Sequence, residues 1–145
     1  MSYHTLQRKL EQAAKGYLEA TVDDITVRGS EDIGEVWELR AVYCICPTAN
    51  GVPGLVGNAA CFLRLEVRTV LALYAARTAA ITAHHVLFGS VADVLMVDDL
   101  AAQLATYGTD LTVQGVASGE DQDHRLDNNE TLVSSITREI HATPQ

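Results

Sequence analysis

Two adjacent histidines, three cysteines, a run of carboxylates and a pair of serines are the residues of this chain whose types could do chemistry. His84 and His85 fall in an apolar helical stretch and are separated by about 100° around its axis, so they cannot chelate one ion as a pair spaced one helical turn apart can. The HExxH pattern of a zinc hydrolase is missing as well. His85 lies on the apolar stripe and is expected to be a core or interface histidine. Cys44 and Cys46 point to the same face of a strand, where a mutual disulfide has poor geometry, and Cys-x-Cys with no further Cys or His nearby lacks the spacing of a zinc site. With Cys61, which also falls in an apolar strand, they are expected to be buried, reduced and inert. Glu120, Asp121, Asp123 and Asp127 alternate as calcium ligands do. Counted from Asp121, however, Leu126 stands where an EF-hand loop needs Gly and Leu132 where it needs Glu. Ser134 and Ser135 lie in a strand-like run with no recognisable base nearby and no Gly-x-Ser-x-Gly elbow. Gly51, Gly54 and Gly57 have neither the dinucleotide fingerprint nor the Lys-Ser/Thr end of a P-loop. No catalytic residue, metal ligand or cofactor-binding residue is therefore expected.

The elements that would carry these residues are written as periodicities. Leu6, Leu10, Ala13, Tyr17 and Leu18 recur at helical spacing with Arg8, Glu11 and Lys15 opposite them, predicting an amphipathic helix over 2–20. Ile25 and Val27 suggest a short strand. Trp37, Leu39, Ala41, Tyr43 and Ile45 form one face of a strand over 35–46 that ends buried on both sides, with Trp37 read as core. Ala59, Cys61, Leu63, Leu65 and Val67 alternate with Phe62, Arg64, Glu66 and Arg68, a half-buried strand. After Thr69 the period changes. Leu71, Tyr74, Thr78, Ile81, His85 and Phe88 share a stripe that predicts a helix over 70–88, stopped by Gly89 and Ser90. Asp98 or Asp99 is expected to cap a short helix ending near Gly108, followed by a strand over 111–116. The stretch 47–58, with its glycines and prolines, reads as a long loop, and 117–130 as a polar loop. The segment 131–142 carries both helical spacing and strand formers, and is assigned to strand. The expected fold class is α+β, a two-layer arrangement of about four main antiparallel strands packed against an N-terminal helix and a long apolar central helix, in one domain over 1–145.

Composition narrows the partners. At 48% hydrophobic and 20% charged the chain is near globular averages. Beyond Arg77 only Arg125 and Arg138 answer the acids that run from Asp93 to Glu139, and the net charge is -9. Affinity for nucleic acid comes largely from cations displacing counterions, so specific DNA recognition is not expected, whereas DNA could slide past such a surface without adhering. Arg77, His84 and His85 interrupt the most apolar window, so no membrane span is expected, and the N-terminal stretch lacks the form of a secretory signal. The central helix is nonetheless apolar on several sides and wants more neighbours than its own chain easily supplies.

The order of elements, with the strand CFLRLEVRT feeding the helix AARTAAITAHHVLFGSVADVL, then DDLAAQLATYGTDLTVQGV and a final ETLVSSITREIHA, resembles the tail terminator or tail completion proteins of tailed bacteriophages. The resemblance rests on segment order and patterning over most of the chain. It implies a structural virion subunit, assembled in the host cytoplasm, that forms a ring, typically hexameric, on the head-proximal end of the tail tube. Such a ring ends tube polymerisation and offers a joint to the head-side connector or stopper. The partners implied are the chain itself, the tail tube protein and the connector, with DNA passing through the channel. On that reading Thr48, Asn50, Val52, Leu55 and Val56 are the candidate partner-contacting residues of the loop, and Asp98, Asp99, Glu120, Asp121 and Asp123 the candidate channel-lining acids. The alternatives are another neck or connector ring component (a stopper, tube or capsid-associated protein) or a small cytoplasmic ligand-binding domain.

Overall fold

Apolar alternation in one strand sets the architecture. The computed structural model describes residues 3–29, 39–51 and 59–144. In order along the chain these form α1 (Tyr3–Thr21), β1 (Thr26–Arg28), β2 (Ala41–Gly51), β3 (Ala59–Val70), α2 (Arg77–Leu95), α3 (Leu100–Tyr107), β4 (Leu111–Asp127) and β5 (Thr131–Pro144), with a 3-10 turn at Leu71–Leu73. The fold is α+β. The five described strands are ordered β1-β2-β3-β5-β4. The short β1 runs parallel to β2, and the other neighbours are antiparallel. The expectation of about four antiparallel strands thus lacked the parallel pairing at β1.

Central β3 has Cys61, Leu63, Leu65 and Val67 at 0% exposure. They join Cys44 of β2 and Ile136 and Ile140 of β5 under a helix layer. From α1 come Leu6, Leu10, Ala13 and Leu18; Leu87, Val91 and Leu95 of α2 and Leu100 and Leu104 of α3 complete the cover. Polar ties fix the layers where apolar contact alone would let them slide. Tyr17 of α1 donates its hydroxyl to the Val94 carbonyl at 2.7 Å, and Arg138 of β5 donates to the Leu95 carbonyl at 2.8 Å, satisfying a carbonyl at the α2 C-terminus. On the other face of the sheet, Ala41, Tyr43 and Ile45 form a second small cluster, with the Arg68 guanidinium 4.6 Å above the Tyr43 ring.

Several boundaries differ from the sequence expectation. The loop over 47–58 begins too early, because β2 continues through Pro47 to Gly51; residues 52–58 lie outside the described residues, as does Trp37. Pro47 is accommodated because the β2–β3 register shifts between Ile45 and Thr48, so the missing N–H falls in an irregularity of the ladder. The polar loop over 117–130 is overturned as well. Strand β4 runs to Asp127, and the reversal is a turn closed by the Glu130 N–H to the Asp127 carbonyl at 3.0 Å. Asn128 and Asn129 occupy the left-handed region at φ 51 and 57, which asparagine tolerates better than most residues. An edge strand carries charge to discourage pairing with other chains, and a charged strand reads as a loop. The central helix starts at Arg77 instead of residue 70 and passes through Gly89 and Ser90. Burial of Val91, Ala92 and Leu95 outweighs the roughly 1 kcal/mol that a helical glycine costs. Its inward stripe is Ala80, His84, Leu87 and Val91, and His85 is exposed, so of the core or interface position expected for it the core position is corrected. The segment from Thr131 is a strand, as its β-branched residues suggested.

The irregularity in β2 leaves the backbone of Cys46 without its regular ladder partners, and α1 supplies replacements. Glu11, 3% exposed, accepts the Cys46 N–H at 2.8 Å, and Gln7 donates to the Cys46 carbonyl at 2.8 Å. Arg8 pairs with the same Glu11 carboxylate at 2.9 Å. Glu11→Ala would strip the acceptor from a buried N–H and the partner from Arg8, an expected loss of about 2–4 kcal/mol, read as a lower urea midpoint at unchanged slope. Glu11→Gln, which keeps an acceptor oxygen, is expected to lose less. An Ala variant as stable as the parent would show that the bulge does not depend on α1.

Candidate functional site

Where α2 crosses the hairpin end of the sheet, four polar side chains from four elements converge in an otherwise apolar layer. Thr69 stands near the end of β3, and Ser134 is the register partner of Val67 on β3 and of His124 on β4. Strand alternation sends Thr69, Ser134 and His124 to the helix-covered face. His84 comes down from α2, whose stripe through Ala80, Leu87 and Val91 leaves it no other direction.

The contacts are short. Thr69 Oγ1 lies 2.8 Å from His84 Nδ1, Ser134 Oγ lies 2.7 Å from His84 Nε2, and His124 Nδ1 lies 2.8 Å from the same serine oxygen. His84 is 2% exposed, Ser134 3% and Thr69 5%, while His124 is exposed. The Phe88 ring meets His124 edge-on at 5.2 Å between centroids, closing the site from the α2 side. Burial, with His85 and His124 nearby, pushes the His84 imidazole down to about 4. It is therefore neutral near pH 7, and each of its ring nitrogens has a hydroxyl partner.

Ser134, expected to lack a nearby base, thus has two imidazoles at hydrogen-bond distance. The arrangement shares a serine–histidine contact with hydrolytic dyads, but its oxygen is already engaged on both sides and is buried beneath α2. What these groups can do together is hold and pass hydrogens along a line, with His124 as the end that meets solvent. Sequence reasoning missed the cluster because its phase for the central helix favoured His85. The usable signal was the spacing Ala80, His84, Leu87, Val91, which buries a histidine and therefore demands polar partners on the strands below.

Among the candidate acids, Asp98, Asp99 and Asp123 do not converge. Asp98 and Asp99 are exposed in the corner between α2 and α3. No side-chain cap is made there; the Asp99 carboxylate instead accepts from Gln103 Nε2 at 2.9 Å. Asp123 lies on β4 opposite Ser135, on the face of the sheet away from the helices, with its carboxylate 3.7 Å from Arg125. Glu120 and Asp121 are paired in register with Arg138 and Thr137. Asp98 and Asp99 in the helix layer and Asp123 on the opposite face of the sheet are thus held apart. Among the described residues, no cluster of three or more His, Cys, Asp or Glu could hold a metal ion. Of the loop candidates, Thr48 and Asn50 are exposed on β2, and Val52, Leu55 and Val56 lie outside the described residues. All three cysteines are free and buried. Burial pushes the Cys44 thiol up; the Cys46 thiol is raised by its hydrogen bond to Cys61 and by burial, and that bond lowers Cys61.

Because His84 in the folded protein takes up its proton only near pH 4, whereas a free imidazole does so near 6.5, the unfolded chain binds the proton first. Its contribution to stability is complete above pH 6.5 and is lost as the pH falls toward 4, by roughly 3 kcal/mol in all. A His84→Leu variant is expected to lack this part of the slope and to be less stable at pH 8, where Thr69 and Ser134 lose their partner. Chemical denaturation from pH 8 to 4 measures both effects, and equal slopes for the two proteins would refute the assignment. No family model matches the chain, and the comparison with curated proteins finds no match.

Proposed function

We propose that this chain is a ring-forming structural subunit of a phage tail, ending the tube at its head-proximal face and joining it to the head-side connector. The observation that carries the reading is the outer side of α2. By length and composition this helix is apolar enough to cross a membrane, yet only 39% of its most apolar window is buried. Its inner stripe is committed to the sheet through Leu87, Val91 and the His84 cluster. The outer side presents Thr78, Ala79, Thr82, His85, Val86 and Gly89, all exposed, and the exposed Asp93 near the C-terminal end of α2 is the charged residue in line with them. Val86 is 61% exposed and Met96, just past the helix, 57%. Small, weakly polar residues along one side of a helix suit close packing against another protein surface, and a closed ring gives every copy such a neighbour. The resemblance in segment order supports the same assignment, and the exposed end of β2 with Thr48 and Asn50 is a second candidate contact with a partner.

Val86→Lys puts a charge on that side without touching the core. It is expected to leave monomer stability within about 0.5 kcal/mol of the parent while abolishing rings on purified tails, as seen by negative-stain imaging and mass photometry. Tails that carry the parent protein as a single copy, or rings that survive the substitution, would defeat the proposal.

The acidic channel wall is part of the same proposal, now divided. Asp98 and Asp99 belong to the helix layer and Asp123 to the opposite face of the sheet, so a wall made of one layer takes one set. Lysine at the set that faces the channel is expected to slow DNA release from assembled particles, because cations hold phosphates. Unchanged release with both sets reversed would place all three acids away from the DNA path.

A further inference from the structure

We propose that Asn50 is a site of spontaneous covalent modification, at which the backbone nitrogen of Gly51 displaces the side-chain amide and leaves an aspartyl or isoaspartyl residue. The proposal is independent of the ring reading. Attack on the asparagine Cγ needs the nitrogen of the following residue to come close, and a side chain on that residue obstructs the approach; glycine has none. Asn50-Gly51 is the one such pair in the chain. Asn128 and Asn129 are followed by Asn129 and Glu130, and the Glu130 N–H is already committed to the Asp127 carbonyl at 3.0 Å. Position favours Asn50 as well. It and Gly51 are exposed and are the last two residues of β2, and no hydrogen bond holds the Asn50 side chain among the described residues. An extended strand keeps the Gly51 nitrogen away from Cγ, so the reaction proceeds from the frayed strand end. The ladder there is short, since beyond the irregularity between Ile45 and Thr48 the described pairs run only from Thr48–Phe62 to Gly51–Ala59. A glycine at the tip of such a ladder lets it open at little cost.

The atoms balance without an enzyme or a redox partner. The Gly51 N–H gives its proton to solvent, its nitrogen bonds to the Asn50 Cγ, and the bond from Cγ to the side-chain nitrogen breaks, releasing ammonia and closing a succinimide ring. Water then opens the ring at one of its two carbonyl carbons. Opening at Cγ restores the original backbone with aspartate at position 50, and opening at the main-chain carbonyl leaves isoaspartate, whose backbone runs through Cβ and Cγ. In sum, an amide and water become a carboxylate and ammonium. Either product sets a carboxylate on the face that also carries Thr48 and adds a negative charge to a chain already at -9. Isoaspartate also lengthens the backbone by a carbon, which moves Gly51 out of line with its partner Ala59. The exposed end of β2 thus changes from a neutral to a charged surface with age.

The test holds the full chain at pH 8, folded in one sample and unfolded in urea in another, and follows the peptide carrying Asn50 by mass spectrometry after digestion. The mass change reads the conversion, and chromatography separates aspartyl from isoaspartyl peptides. In the folded chain Asn50 is expected to convert to both products at a rate within about tenfold of the unfolded chain, because opening of the strand end is nearly free. Asn128 and Asn129 are expected to stay intact over the same time. Gly51→Ala restores a side chain on the attacking residue and is expected to slow conversion by roughly tenfold or more in the unfolded sample, a comparison that holds even if the variant folds poorly. Folded protein that keeps Asn50 intact, or converts it more than about tenfold slower than the unfolded chain, overturns the proposal, and so does a Gly51→Ala variant that converts as fast as the parent.

Discussion

Everything in this fold answers to one requirement: the helix-facing side of β3, from Cys61 through Val67, must be kept wholly from water. A strand in that position cannot be an edge, so β2 and β5 are drawn to its two sides. Its apolar face then needs a lid broader than one helix, which α1 and α2 supply together and α3 extends. The burial of one hydrophobic row thus fixes the order of the strands, the layer count and the side of each helix that faces inward. The polar ties follow from it as well, since Tyr17, Arg138 and Glu11 each satisfy backbone that the packing would otherwise leave bare.

What could be read from the sequence follows from how strongly each segment feels that requirement. Strand β3 and helix α1 bury one clean face each, so period two and period near four announce them. Strand β5 was legible for a related reason: Val133 and Ile136 are buried on opposite faces of the sheet, and β-branched residues suit a pleated surface whichever side they meet. Strand β4 was legible only in its first part, over 111–116. It is the sheet's outer strand, its charges lie where solvent is, and nothing in a run such as Glu120 to Asp127 distinguishes a solvated strand from a solvated loop until β5 is known to lie beside it. The end of β2 was hidden by Pro47, whose presence argues against a strand unless a bulge takes it in.

The polar cluster under α2 was unreadable for a different reason. Each of its members is unremarkable alone, and a histidine in an apolar helix, a threonine near a strand end and a serine in a strand all have ordinary explanations. Their meaning depends on two things that linear spacing does not carry: the rotational phase of α2 and the β3–β5 register. A misjudged helix start changes which of His84 and His85 faces inward, and with it the whole chemistry of the layer.

The strand order also bears on how the chain comes into being. Strand β3 pairs on one side with β2, its predecessor in sequence, but on the other with β5, which follows only after α2, α3 and β4. Throughout translation of α2, α3 and β4 the most apolar strand of the protein therefore has an open edge, and the tight β4–β5 turn at Asn128 and Asn129 is the event that delivers its missing partner. A chain that stops short of Thr131 presents a ready template for pairing with another such chain. During synthesis the open edge of β3 thus persists until the β4–β5 hairpin closes, and the speed of that closure governs how long the edge stays bare.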